Sequence, residues 1–219
     1  MEYMNTKRYT KNKLLLIIIV VVLLSSCTTT TNIQNSKKSF VLPAKNQPLT
    51  KKQQVIITSA LNACNKNYTK YLSFNNRSFN NDCSGLIYGI FWESGLNLLP
   101  EVAKETGGGV LRLHKVLDRH NLIHTNKLPN PGDLIFWDNT YGKWGQKPLS
   151  HIGVVVSVKS DGTIEYVHNN TYLGAIRKER MNLYKPHENR PTNNYMRYDS
   201  KYKKTAAELF NSFGMAWQL

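Results

Sequence analysis

The sequence predicts an α+β domain, because helical patterns come first along the chain and strand patterns follow. Apolar residues spaced by four, seven and eight positions predict a helix that begins at Cys83. A β-branched run over 150–158, a Lys159–Gly162 turn and a return strand over 163–168 predict a hairpin. The chain has 219 residues, which is enough for one domain with its own core and additional segments.

The N-terminal segment predicts export. Basic residues between Lys7 and Lys13 precede an apolar run, Leu14 to Leu24, that is too short to span a bilayer comfortably. The run ends in Leu-Ser-Ser before Cys27, which resembles the lipobox of bacterial lipoproteins. This implies a signal peptide over 1–26, acylation of Cys27 (palmitate is one such acyl group) and a lipid anchor in the membrane. The protein would face the periplasm or cell wall, from the outer membrane if the cell has two. An uncleaved membrane anchor is the alternative.

The remaining chain divides into a polar segment over 27–48, expected to be a flexible tether, and a domain over 49–219. Thr50 is expected to cap the first helix, whose inward face would hold Val55, Ile57, Ala60, Leu61 and Cys64. The expected elements are a helix over 51–65, a long loop over 65–81, a helix from Cys83 to a stop at Gly95, a helix over 110–119, a turn at 131–133, a strand over 134–137, a loop over 138–149, the hairpin, short strands over 175–183 and 194–198, and a C-terminal helix over 203–213.

Cys83 is the candidate nucleophile because it falls in the first turn of its helix. Unpaired N–H groups and the positive end of the helix dipole favour an anion there, and a thiolate is such an anion. Two alternatives remain open: a small buried hydrophobic residue, or a disulfide with Cys64. The helical pattern around Cys64 favours a place in the core for that residue.

Two histidines of the hairpin are candidates for the same site. If Val158 pairs with Thr163, His168 lies opposite Gly153, and His151 and His168 become diagonal neighbours on one face. A turn of odd length would separate them. The sequence predicts no metal and no cofactor: no carboxylate or cysteine completes a ligand set with the other nearby histidines, and the loop over 138–149 begins Asp-Asn but lacks the remaining oxygen ligands of a calcium loop. The histidines considered were His114, His120 and His124.

The net charge of +15 favours polyanionic partners, namely nucleic acid, anionic lipid or an anionic cell wall. Basic residues are scattered, and no nucleic-acid-binding motif is present. Together with the export signal, this predicts no nucleic-acid partner.

Four blocks, in order, resemble the NlpC/P60 family of papain-like cell-wall hydrolases and the neighbouring CHAP amidases and endopeptidases. They are Asp82-Cys83-Ser84-Gly85-Leu86-Ile87, Pro131-Gly132-Asp133-Leu134-Ile135-Phe136, Ser150-His151-Ile152-Gly153-Val154-Val155 and Val167-His168. The resemblance covers residues 50 to 183. It implies a papain-like fold in which the nucleophile's helix packs on an antiparallel sheet.

The resemblance also implies site residues and a substrate. Cys83 would be the nucleophile, His151 the base and His168 the group that orients it. The oxyanion or substrate would meet Ser84, Asp82, Tyr71 and Tyr68. Two features depart from the family: no glycine pair precedes the cysteine, and the loop over 138–149 is long.

The expected activity is hydrolysis of stem-peptide amide bonds in peptidoglycan by a monomeric endopeptidase. The alternatives are a CHAP-type amidase, a non-catalytic wall-binding lipoprotein, and an acyltransferase or other thiol hydrolase of the same fold.

Overall fold

The computed structural model describes residues 40, 48–66 and 69–219. The signal peptide, Cys27, most of the predicted tether and Tyr68 lie outside the described residues, so the predictions made for them stay predictions. None of the described helices has the length and apolar character needed to cross a bilayer.

The domain is an α+β fold built on an antiparallel sheet. Its α-helices are α1 (Lys51–Ala63), α2 (Cys83–Glu93), α3 (Leu99–Val102) and α4 (Gly109–Arg119), and Ala216–Gln218 is a 3-10 turn. Its strands are β1 (Tyr71–Phe74), β2 (Arg77–Asn80), β3 (Ile123–His124), β4 (Leu134–Trp137), β5 (His151–Val158), β6 (Thr163–Asn170), β7 (Ala175–Asn182), β8 (Tyr195–Arg197), β9 (Lys204–Thr205) and β10 (Phe210–Gly214). The main sheet has the order β3-β10-β4-β5-β6-β7.

Both faces of the main sheet are covered. Helices α1, α2 and α4 pack with the β1–β2 hairpin on one face, where Phe136, Ile152 and Val154 are buried. The other face carries a second cluster that includes Trp137 and Tyr166. Phe40 belongs to this second cluster, so the packed unit includes a residue of the predicted tether.

Helix α2 is held tightly in place. Its residues from Gly85 to Phe91 are all buried. A Cβ atom on Gly85 would lie 2.0 Å from the Asn80 carbonyl oxygen, so only glycine allows this approach to β2. The helix ends at Glu93, and Gly95 adopts a φ of +82°, which confirms the predicted stop.

Helix α1 begins as predicted, with Thr50 and Gln53 forming a capping box. The predicted inward face is partly wrong. Ile56, Ala60 and Ala63 are buried, whereas Leu61 is 40% exposed. Helix α1 packs on helix α2 and strand β5, and these partners select its buried face, which the helical pattern alone did not reveal.

The predicted long loop over 65–81 is wrong in its second half, which forms the β1–β2 hairpin. Asn75 and Asn76 have φ of 42° and 59° and form a two-residue turn, because asparagine tolerates the left-handed region. Leu72, Phe74 and Phe79 bury the apolar side of this hairpin against the core.

The predicted C-terminal helix over 203–213 is also wrong. Residues 210–214 form β10, which pairs with both β3 and β4 inside the main sheet. Phe213 is fully buried there, whereas Phe210 is only partly buried. Pairing with two strands satisfies the backbone of this segment from both sides, and this outweighs its helical spacing.

The β5–β6 hairpin reaches its predicted pairing by a different route. Gly153 lies opposite His168, which is confirmed. Val158 pairs with Ile164, however, and not with Thr163. The register shifts between Val155 and Ser157, so a β-bulge absorbs the extra residue.

Candidate active site

Cys83 is the first residue of helix α2, and Asp82 is its N-cap. The Asp82 carboxylate accepts hydrogen bonds from the Gly85 N–H at 2.7 Å and from the Ser84 hydroxyl at 2.8 Å. The cap thereby fixes the first helical turn, with Cys83 and Ser84 at the end of the helix that faces a cleft. Cys64 and Cys83 are both free thiols, so the alternative disulfide is not formed.

The thiol of Cys83 is protonated in the resting site. Burial raises its pKa to about 12, and the negative charge of Asp82 adds to the increase. The backbone N–H groups of Ser84, Cys83 and Ile152 act in the opposite direction. The helix N-terminus therefore favours the thiolate as expected, but burial has the larger effect.

The two candidate histidines meet as predicted, but the condition of an even turn is wrong: residues 159–163 form a turn of odd length, and the bulge restores the shared face. His151 Nε2 lies 2.8 Å from His168 Nδ1, and the two rings are nearly perpendicular. Both side chains are buried, and the Trp137 ring lies against each of them. Burial lowers the pKa of His151 well below its ordinary value, and His168 contributes to the decrease. His151 is therefore a neutral imidazole.

Glu179 extends this pair to a third buried group. Its Oε2 atom lies 3.1 Å from His168 Nε2. Its other oxygen, Oε1, is 3.8 Å from Arg177 Nε. Glu179 lies on β7 and is 4% exposed. The prediction from the sequence did not include Glu179, although a signal was present. Glu179 lies two positions from the buried Met181 on β7, so both side chains are on the same face of the sheet.

These contacts fix the tautomers of both imidazoles. A carboxylate only accepts hydrogen bonds, so His168 Nε2 carries a proton toward Glu179. His168 Nδ1 then accepts from the protonated Nε2 of His151. His151 Nδ1 is consequently the unprotonated nitrogen, and it is the one available as a base.

Cys83, His151 and His168 line one cleft of about 550 Å³. A second cleft of about 290 Å³ also has Cys83 in its lining and contains Ser84 and Lys147. Asp82 and Tyr141 border both clefts. A substrate that contacts Cys83 could therefore extend into either cleft.

The loop over 138–149 supplies Tyr141 and is held at its base by Arg197. The guanidinium donates to the carbonyl oxygens of Asn139 at 2.8 Å and Gly142 at 2.7 Å, and Arg197 is only 3% exposed. The loop thus has a fixed anchor although most of its residues are exposed.

The structure brings some predicted residues together and separates others. Cys83, His151, His168, Asp82 and Ser84 lie at the two clefts. Tyr71 lies on β1, is 50% exposed and lines neither of these clefts. Within the described part of the chain, no group of three histidine, cysteine or acidic side chains is arranged to hold a metal ion.

No curated protein and no solved structure matches the chain. Of the two neighbouring families that its motifs resemble, the one whose model matches is the CHAP domain, over residues 73–170. The matched segment contains Cys83, His151 and His168, whereas Glu179 lies beyond it. Residues 73–170 are thus similar to a family of cysteine- and histidine-dependent amidohydrolases and peptidases close to NlpC/P60.

Proposed function

We propose that this protein is a peptidoglycan hydrolase that cleaves amide bonds by a thiol mechanism. The observation that carries the proposal is the hydrogen-bonded chain from His151 through His168 to Glu179, in the same cleft as a cysteine at a helix N-terminus. Nucleophile, base and orienting groups are the parts that covalent acyl transfer requires. The CHAP match supports the substrate class.

The first step is attack on the amide carbonyl. His151 Nδ1 takes the proton from the Cys83 thiol while the sulfur forms a bond to the carbonyl carbon. Because the thiol and the imidazole are both neutral at rest, this proton transfer accompanies the attack. His168 and Glu179 stabilise the resulting imidazolium through the chain of hydrogen bonds.

The negative charge that develops on the carbonyl oxygen needs donors. The N–H of Gly85 is bonded to the Asp82 carboxylate, whereas the N–H groups of Cys83 and Ser84 act on the sulfur. These two groups are the candidate oxyanion donors, and each such donor typically contributes about 3 kcal/mol.

The cycle closes by hydrolysis. The imidazolium of His151 gives its proton to the leaving amine nitrogen as the C–N bond breaks, which leaves a thioester on Cys83. Water then attacks the thioester, with His151 accepting its proton and returning it to the sulfur. Each step uses side chains and backbone N–H groups of this domain, together with water.

The site is proposed to work outside the cytoplasm. The lipobox-like Cys27 would anchor the chain as a lipoprotein, and the excess of 29 basic over 14 acidic residues would suit an anionic wall. A monomer on a lipid anchor is the expected form. The bond that is cut lies either within the stem peptide or between that peptide and the sugar.

The test is product analysis. The full-length chain is incubated with purified peptidoglycan, and the released fragments are identified by mass spectrometry, with Cys83→Ala as the matched control. Release by the unsubstituted chain alone supports the proposal, and the masses name the bond. If neither protein releases fragments from several wall types, the proposal fails, and wall binding or acyl transfer takes its place.

A further inference from the structure

One side of the larger cleft is aromatic. Tyr172 stacks face to face on Tyr198, with ring centroids 4.5 Å apart and planes at 3°. Both rings line the cleft, and Tyr172 is 71% exposed, so its outer face is open. Tyr141, from the loop over 138–149, borders the same cleft and is 58% exposed.

The polar groups of this cleft are short and neutral or acidic. Thr140, Ser150, Asn170 and Thr171 provide hydroxyl and amide groups. Among the described residues that line it, the one lysine or arginine is Arg197. Its guanidinium is already bonded to two carbonyl oxygens of the loop and to a carboxylate oxygen at 3.2 Å.

The charge of the cleft disfavours one class of ligand. The carboxylates of Asp82 and Asp199 border it, and Arg197 pairs with Asp199, so the ionised side chains of the lining carry a net negative charge. An acidic peptide would therefore bring its carboxylates toward a charge of the same sign. A neutral ligand that needs many hydrogen bonds meets no such penalty.

We propose that this cleft is a saccharide subsite that holds a neutral N-acetylated sugar of the glycan strand. A sugar ring has an apolar face of C–H groups, which fits an open aromatic face, and hydroxyls at its edge, which fit short polar side chains. Tyr172 would be the platform, supported from behind by Tyr198. The inference rests on the proposed function, because it names the part of the wall that enters the cleft.

The position of the cleft affects which amide bond of the substrate can reach Cys83. Cys83 lies in the lining of the same cleft, so a sugar on Tyr172 would keep the reacting amide close to the glycan strand. The peptide would continue into the second cleft, past Ser84 and Lys147. Peptides that lack the sugar would then be poor substrates.

The platform lies outside the segment that resembles the CHAP domain. Tyr172 is on the β6–β7 turn and Tyr198 follows β8, both beyond residue 170. The saccharide subsite would therefore be a feature of this chain's own C-terminal region.

The binding test uses the full chain with Cys83→Ser, so that nothing is turned over. A tetramer of N-acetylglucosamine is titrated by calorimetry. We expect Tyr172→Ala to weaken binding about tenfold, since stacking on one aromatic face is lost. Tyr184→Ala is the matched control, because Tyr184 is 41% exposed and packs on Gly162 at the opposite end of the hairpin. No binding by the Cys83→Ser chain, or an unchanged affinity in Tyr172→Ala, would overturn the subsite.

A second test separates the subsite from the activity. The unsubstituted chain is given a stem peptide with and without its attached disaccharide, and kcat/KM is measured for each. A preference for the sugar-bearing substrate that Tyr172→Ala removes and Tyr184→Ala keeps would support the subsite. Equal cleavage of both substrates would overturn it and leave the hydrolase standing. If neither is cut while the tetramer still binds through Tyr172, the proposed function fails and the subsite stands.

Discussion

Glu179 Oε2 lies 3.1 Å from His168 Nε2, and this contact joins two buried side chains on the neighbouring strands β7 and β6. The β6–β7 register pairs His168 with Arg177, so Glu179 is its diagonal neighbour on the same face. In the proposed mechanism, the carboxylate acts on the Cys83 thiol only through the imidazoles of His168 and His151. We regard Glu179 as a positioning residue.

We expect Glu179→Gln to lower kcat by roughly ten- to a hundredfold with little change in KM. The amide can donate to His168 Nε2, which would reverse the tautomers and place the proton of His151 on the wrong nitrogen. Steady-state kinetics on a soluble peptidoglycan fragment measure the effect. Glu165→Gln is the control, because Glu165 bonds Ser157 at the far half of the hairpin. Equal kcat in both variants would contradict the positioning role.

We expect the alkylation rate of Cys83 by iodoacetamide to keep rising up to about pH 10. Its pKa is raised to about 12, and the thiolate fraction grows about tenfold per pH unit below the pKa. Peptide mass spectrometry separates Cys83 from Cys64 and gives the rate at each pH. A plateau below about pH 8 would show instead a thiolate already stabilised at rest.

Two substitutions of Asp82 test its separate effects on the Cys83 thiol and on the stability of the helix. Asp82→Asn removes a charge that raises the pKa, so Cys83 should be alkylated faster at a fixed pH. Asparagine caps helices as well as aspartate does, so stability should hold. Asp82→Ala loses the cap on Gly85 and should lower the free energy of unfolding by about 1 kcal/mol.

We expect the domain to lose stability as the pH falls below about 6.5. Burial lowers the pKa of His151 and His114, although Asp118 and Asp138 partly oppose this at His114. A histidine with a lowered pKa in the folded state takes up its proton more readily in the unfolded chain. Its contribution is thus present above about pH 6.5 and declines as the pH falls, by up to about 1.4 kcal/mol per pH unit.

Urea unfolding at about pH 7.5 and about pH 5.5 measures this loss. His114→Gln should make the difference between the two free energies of unfolding smaller, because one titrating group is removed. Gln146→Ala is the control and should leave the difference unchanged, since Gln146 is exposed and its side chain does not titrate. The same pH dependence in all three proteins would contradict the assignment to His114.

We expect Arg197→Gln to release the loop over 138–149. The variant loses the bonds to the carbonyl oxygens of Asn139 and Gly142. Trypsin should then cut faster after Lys143, and KM should rise because Tyr141 is no longer fixed beside Cys83. Arg119→Gln is the control, because that arginine bonds only exposed or partly exposed glutamates on another surface. Unchanged cleavage in Arg197→Gln would show that the loop does not depend on this anchor.

Most of the geometry of the candidate site could be predicted from local patterns. The helix that begins at Cys83 and the strand that begins at His151 each have a strong period and clear end signals. The pairing of His168 with Gly153 was predicted by counting back from an assumed Val158–Thr163 pair, and it holds only because the bulge offsets the longer turn. Such features depend on neighbouring residues, which the sequence contains directly.

The parts that could not be predicted depend on distant partners. Glu179 joins the site only because β7 pairs with β6, and β10 becomes a strand because β3 and β4 leave a place between them. The thiol's raised pKa depends on burial by the whole domain. The β1–β2 turn, by contrast, could have been predicted. Asn75-Asn76 is a turn signal in the sequence, but the segment was interpreted as a loop.

Because the β5–β6 hairpin contains a bulge, the number of residues between His151 and His168 does not by itself decide whether the two rings share a face. One irregularity sits at the turn, where Val158 meets Ile164, and the other lies between Val155 and Ser157. Each alone would turn His168 away from His151, and together they cancel. A lengthened or shortened turn could therefore be rescued by a second change several residues away. Alignments or designs that preserve only the spacing between the histidines would overlook such suppressor pairs, because parity, and not chain length, aligns the two rings.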